Sequence, residues 1–305
     1  FEDCELPALV ANGLQVDHDL VMSGSVITEP VSTAASESAK AAVWLCEADV
    51  GGRVLMVGTR IEAPGQRSIQ ADRMVVGGTM RLIHGFTARG EVRLIGAQVH
   101  GSLDLTGAHL IDPYAGLALD LGGAHIDGSV FIIPRSGTKD RPDGECVGRP
   151  PLIDGRIDAG NAVIGSRFVI RDATIHGTTP TPGTGYYDDD TDPTALHAAG
   201  LRVVGGGVEF QGDSLIEGKI ELEGCDIALL SVSASVQLRA PGLDAIRLST
   251  GRLRSGLFLA PGLNVQGSLR FTGAEIGGNV ALAETTWSHP SKHGSVTGQG
   301  SLVRG

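Results

Sequence analysis

Aromatic side chains are scarce in this chain of 305 residues, where Phe, Tyr and Trp together make up 4%. Globular enzymes of this length usually anchor their cores on more of them, so a thick multilayer core is not expected. Cysteine is scarcer still. Cys4, Cys46, Cys146 and Cys225 stand far apart with no CxxC spacing. That excludes a dense disulfide framework and the spacing of haem or iron–sulfur ligation, and points to free thiols in a reducing cytoplasm. No apolar run approaches the ~20 residues that span a bilayer, so membrane insertion is not expected; no secretory h-region is visible, and a start at Phe1 leaves room for a leader already removed. Cations are outnumbered, 24 Lys and Arg against 35 Asp and Glu for a formal net charge of −11. A nucleic-acid partner, which needs clustered cations to displace counterions, is therefore not expected. No GxGxxG opens a helix after a strand, so no cofactor is expected either.

What the chain has is glycine, 45 residues of it. They do not recur every third position, which excludes collagen. They mark a repeat of about eleven residues instead. One unit is Gly90, Val92, Leu94, Gly96, Ala97, Val99, and the next is Gly101, Leu103, Leu105, Gly107, Ala108, Leu110. Copies return at Leu119–Leu121–Gly123–Ala124–Ile126 and at Gly267–Leu269–Phe271–Gly273–Ala274–Ile276, and weaker ones lie between. In one weak copy Glu47 occupies a glycine slot. Apolar and polar residues alternate within each unit, the pattern of a strand with one buried face. Each strand ends after three to five residues at a glycine, which accepts the positive φ of a sharp corner. Two units close a coil, and coils stack by parallel pairing. The expected fold is all-β, a right-handed parallel β-helix (β-solenoid) of about 22 residues per coil. It forms one domain over residues 1–286, with insertions at about 111–116, 134–151 and 178–194. Residues 287–305 are expected to form a tail or cap. Residues 34–43, rich in Ala, Ser, Glu and Lys, read as a short helix near the N-terminal end.

The segments GEVRLIGAQVHGSLDLTGAHL and GSLRFTGAEIGGNVAL, within residues 90–132 and 267–282, resemble the repeat of a group of bacterial β-solenoid proteins. That group is commonly labelled "membrane-associated oxidoreductase". The chain is similar, more loosely, to bactofilins and pentapeptide-repeat proteins. Its apolar centres alternate between five and six residues, as in Leu94, Val99, Leu105, Leu110, where a pentapeptide ladder keeps five. The resemblance covers most of the chain. Its motif is architectural, so it implies the fold and assigns no site residues.

Stacking two-unit coils predicts a register in which Arg93 neighbours Asp120, Arg81 neighbours Asp104 and His100 neighbours Asp127. The Arg–Asp neighbours read as surface ion pairs, worth ~0.5 kcal/mol each. A carboxylate beside an imidazole raises its basicity, so His100 and Asp127 are candidate catalytic residues, set against the plainer reading of a solvated pair. His109 and His125 share a position in the repeat but fall in different halves of a coil. Histidines at corners could ligate zinc, but no tight ligand spacing supports it, and no metal is expected. The insertion at 178–194 carries Tyr186, Tyr187 and the run Asp188, Asp189, Asp190, Asp192, which lacks calcium-loop spacing. If insertions leave one edge of the array they form its binding face, and Tyr114, Tyr186, Tyr187 and His197 are the candidate substrate-binding residues.

These readings rank a non-catalytic binding or scaffolding solenoid first. Its partner would be a small-molecule ligand or a protein, with self-association through the ends or faces. Second is a lyase or cyclase using acid–base chemistry on a small or lipophilic metabolite in a cleft under the insertions. Third is an acidic DNA mimic, which would need Asp and Glu arrayed along one face.

Overall fold

The computed structural model describes residues 1–33, 36–135, 150–179 and 192–304. These residues form two sheets of nineteen strands each, and no helix occurs among them. One coil shows the plan. His109–Ile111 and Leu117–Asp120 belong to the first sheet, and His125–Ile126 and Val130–Ile132 belong to the second. Each coil thus turns four times. Neighbouring coils pair in parallel: Leu110 stacks on Ala88, 22 residues earlier, and Val99 on Val76, 23 residues earlier. The protein is a parallel β-solenoid.

The interior is a narrow aliphatic stack. Leu94, Val99, Leu105, Leu110, Leu121, Ile126 and Ile132 are all buried. Small repeated slots suit Val, Ile, Leu and Ala, which is why so few aromatic residues suffice. The turn from the first sheet into the second uses a left-handed residue in coil after coil. Gly96 and Gly123 take this conformation, and so do Glu47 with φ 57°, Arg73 with φ 56°, Asn161 with φ 56° and Thr250 with φ 51°. The glycine slot occupied by Glu47 is therefore a real corner.

The expected helix at 34–43 is not formed over its described residues, 36–43. Ser36–Trp44 is a strand that makes an antiparallel hairpin with Val31–Thr33 and then pairs in parallel with the next coil through Ala41, Val43 and Trp44. Ala41, Ala42, Val43 and Trp44 are buried. An isolated helix of this length is marginal in water, and the growing sheet offers both backbone partners and a core. Residues 287–304 form a last coil, in which Thr286–Ser288 and Val296–Gln299 pair with Asn264–Thr272, and Leu302–Val303 pairs beyond them.

Candidate functional site

The site is built at one corner, the bend inside the first sheet. Successive coils treat this bend in alternation. A single glycine turns the chain at Gly90, Gly155, Gly218 and Gly267. The coils between them carry insertions at 63–66, 111–116, 177–193, 240–243 and 289–295. The alternation has a steric cause. A Cβ on Gly90 would meet Ala63 O at 2.5 Å and Gln66 O at 2.6 Å, and one on Gly267 would meet Ala240 O at 2.6 Å. An insertion folds down over the next coil, and only glycine fits beneath it. Two of the insertions are Ala-Pro-Gly turns, at 63–65 and 240–242, a turn signature the sequence reading passed over.

The insertions also clasp one another across the glycine coils. Gly65 N–H donates to Asp112 O at 3.1 Å, and Gly242 N–H to His289 O at 2.8 Å. The Thr178 hydroxyl donates to Gly116 O at 2.5 Å. Arg67 stacks over the Tyr114 ring, 5.1 Å from its centroid. Between 177–193 and 240–243 the described residues make no such bond. A groove of about 620 Å³ lies there, over Gly218. Pro193, Ala240, Pro241 and Leu243 give it an apolar side, and Asp192, Glu217, Arg239 and Gln266 a polar one. Glu217 is held by Arg239 at 3.4 Å and by His176 at 3.7 Å. Asp192 reaches the buried Lys219 at 3.7 Å.

Beside this corner the first sheet carries a column of stacked polar side chains. Arg93, Asp120, Asp158, His197 and Glu221 occupy it on successive coils. The register between Arg93 and Asp120 is the expected one, but the pair is not on the surface: Asp120 is 1% exposed. The alternating pattern marks this face as solvated, yet the column is closed to water here. Asp158 and His197 are likewise buried, at 4% and 8% exposure, and Asp158 Oδ1 lies 3.3 Å from His197 Nδ1. Burial pushes the Asp120 carboxyl up to about 6. Burial also presses on Asp158, but the His197 hydrogen bond and charge and the Gly160 N–H hold it below the ordinary range. Glu91, behind Arg67, is driven up to about 7 by burial against the pull of that arginine.

His100 and Asp127 lie elsewhere, at the bend inside the second sheet. His100 Nδ1 is 2.9 Å from Asp127 Oδ2, and His125 Nε2 is 3.1 Å from Asp127 Oδ1. The hydrogen bond and charge of His100 hold the Asp127 carboxyl below its usual value. All three side chains are about half exposed. His109 belongs to the first sheet and His125 to the second, as their positions in the repeat require. The structure therefore separates His100 and Asp127 from His197 and Tyr114, which stay with the first sheet. Tyr114 is engaged by Arg67 and does not line the groove. Tyr186, Tyr187, Asp188, Asp189 and Asp190 lie outside the described residues.

Sequence reasoning missed Glu217, Lys219, Gln266 and Arg239, whose only signal is position: the first two flank Gly218, Gln266 precedes Gly267, and Arg239 precedes the 240–243 insertion. Among the described residues no group of three or more His, Cys, Asp and Glu is arranged to hold a metal ion. No helix there is long and apolar enough to cross a membrane. Comparison with protein-family models, curated proteins and solved structures finds no match for this chain.

Proposed function

We propose that the chain is a binding solenoid that takes a small molecule in the groove over Gly218. The observation that supports this lies in the row of insertions: neighbours clasp one another elsewhere, and here the described residues make no clasp and line a cleft with an apolar side and a few convergent polar groups. The cytoplasmic placement expected from cysteine spacing belongs to this proposal. Cys4, Cys46 and Cys225 are free thiols in support of it. The test is a thermal-shift screen of a metabolite library against wild type and Gln266→Trp, which fills the groove. A ligand at 100 times its Kd adds about 2.7 kcal/mol of stability. Compounds that stabilise wild type but not the variant support the groove. Stabilisation that survives the tryptophan sinks it.

A second reading, a lyase or cyclase working by acid–base chemistry, is favoured by the buried Asp120, Asp158 and His197 beside the same insertion. It expects a new product, seen by mass spectrometry of treated metabolite extracts, that is lost in His197→Ala and kept in His100→Ala. DNA mimicry finds no support, because acidic side chains on the outer column are interleaved with basic ones. Glu62 pairs with Arg89, and Glu217 with Arg239.

A further inference from the structure

Asp120 and Asp158 are adjacent in the buried column of the first sheet. Parallel strands stand about 4.8 Å apart, so two ionised carboxylates would stack at that spacing with water excluded. Their Oδ1 atoms are tied down alike, each by the N–H two residues on: Gly122 at 3.0 Å for Asp120, Gly160 at 2.8 Å for Asp158. The second oxygens differ. Asp158 Oδ2 faces Arg156 at 3.9 Å, and its Oδ1 faces His197. Asp120 Oδ2 is buried and accepts no hydrogen bond among the described residues.

The charges around Asp120 explain why that oxygen matters. From the strand Thr87–Arg93, Arg93 stands 3.6 Å from Asp120, but 3.0 Å from Asp72 and 3.9 Å from Glu91. From the strand Arg156–Asp158 come Asp158 itself and Arg156, and from Thr194–His197 comes His197 beyond them. Glu91 has Arg67 as its own partner at 3.0 Å. One guanidinium is thus divided among three carboxylates, with a fourth stacked on the other side. Stacked like charges in a dry site are relieved when one of them takes up a proton.

We infer that Asp120 and Asp158 form a proton-binding carboxyl pair, in which Asp120 Oδ2 takes one proton at a pH where exposed aspartates are ionised and Asp158 stays charged against His197. The upward displacement of Asp120 and the downward one of Asp158 agree with this division. The inference rests on the column alone and does not depend on a ligand in the groove. In the acid–base reading it names the parts: the Asp120 hydroxyl would be the proton donor and the Asp158–His197 pair the acceptor.

The test is a carbon-13 NMR titration of the aspartate carboxyl carbons in the full chain. One resonance, absent from Asp120→Asn, is expected to titrate at about 6, well above the exposed aspartates. In Asp158→Asn, which removes the stacked charge, the proton affinity of that resonance should fall about tenfold. A merely structural role for Asp158 would leave it unmoved. The wild-type titration stands without either variant. If every aspartate carbon titrates with the exposed ones, or if the midpoint ignores Asp158→Asn, the inference is overturned.

Discussion

His197 Nδ1 and Asp158 Oδ1 lie 3.3 Å apart on adjacent coils of one sheet, both buried, with the 177–193 insertion between them in sequence. Because the folded Asp158 carboxyl lies below its ordinary value of 3.8, the pair contributes stability that is present above that value. The contribution is lost as pH falls through the folded value. His197→Ala should leave a buried charge short of a partner and cost about 3–5 kcal/mol at neutral pH. Urea melts at neutral and acid pH would show the deficit shrinking on acidification; a constant deficit would mean that packing, not charge, is what His197 supplies.

Glu91 has the opposite sign. Its carboxyl is raised by burial from 4.5 to about 7, so its contribution is fully present below 4.5 and is lost as pH rises through about 7. Glu91→Gln keeps the shape and removes the titration. The variant should gain roughly 1–3 kcal/mol over wild type above pH 7 and little at pH 4.5. Equal melting midpoints for the two proteins across this range would contradict the buried-charge account.

The alternating bend predicts unequal costs for the same glycine substitution. Gly267→Ala drives a Cβ against the carbonyls of 240–243 at a φ of 123°, and should cost about 3 kcal/mol or more. Gly224, at φ 60°, has nothing within 4 Å of a built Cβ, so Gly224→Ala carries only the left-handed penalty of about 1–2 kcal/mol. Chemical denaturation of the two variants decides this, and matching losses would refute the clasp.

Thr250 is a β-branched residue in the left-handed region, φ 51°, where the strain is larger than for most side chains. Thr250→Gly relieves it and gives back about 0.5–1 kcal/mol through the freer unfolded chain. A net gain near 0.5 kcal/mol is expected from the thermal midpoint, and a loss would show that the Thr250 hydroxyl, bonded to Ser249 O at 2.7 Å, outweighs the strain.

Much of the fold was legible because its determinants are local. The period-two apolar pattern around Leu94 and Leu105 sets which face is buried, and the glycine slots set where the chain turns. Aligning the units, with the insertion at 111–116 set aside, then brings Arg93 to Asp120, Arg81 to Asp104 and His100 to Asp127. The hairpin at 31–44 was not legible, since Ala, Ser and Lys carry helix propensity that pairing with the sheet overrides. The groove was hidden for another reason: Glu217, Lys219 and Arg239 acquire meaning only when coils with and without insertions are set side by side.

From the amino-acid order alone come the solenoid, its aliphatic interior and its axial register, because these follow from contacts between residues one short repeat apart. Tertiary structure alone decided which polar side chains lose their water. Asp120 and Asp127 hold similar places in the outward pattern, yet the first is sealed and the second half exposed. The difference lies in where the fold puts each of them, Asp120 inside the stacked column of the first sheet and Asp127 at the bend inside the second, and burial of a charge depends on everything that covers it.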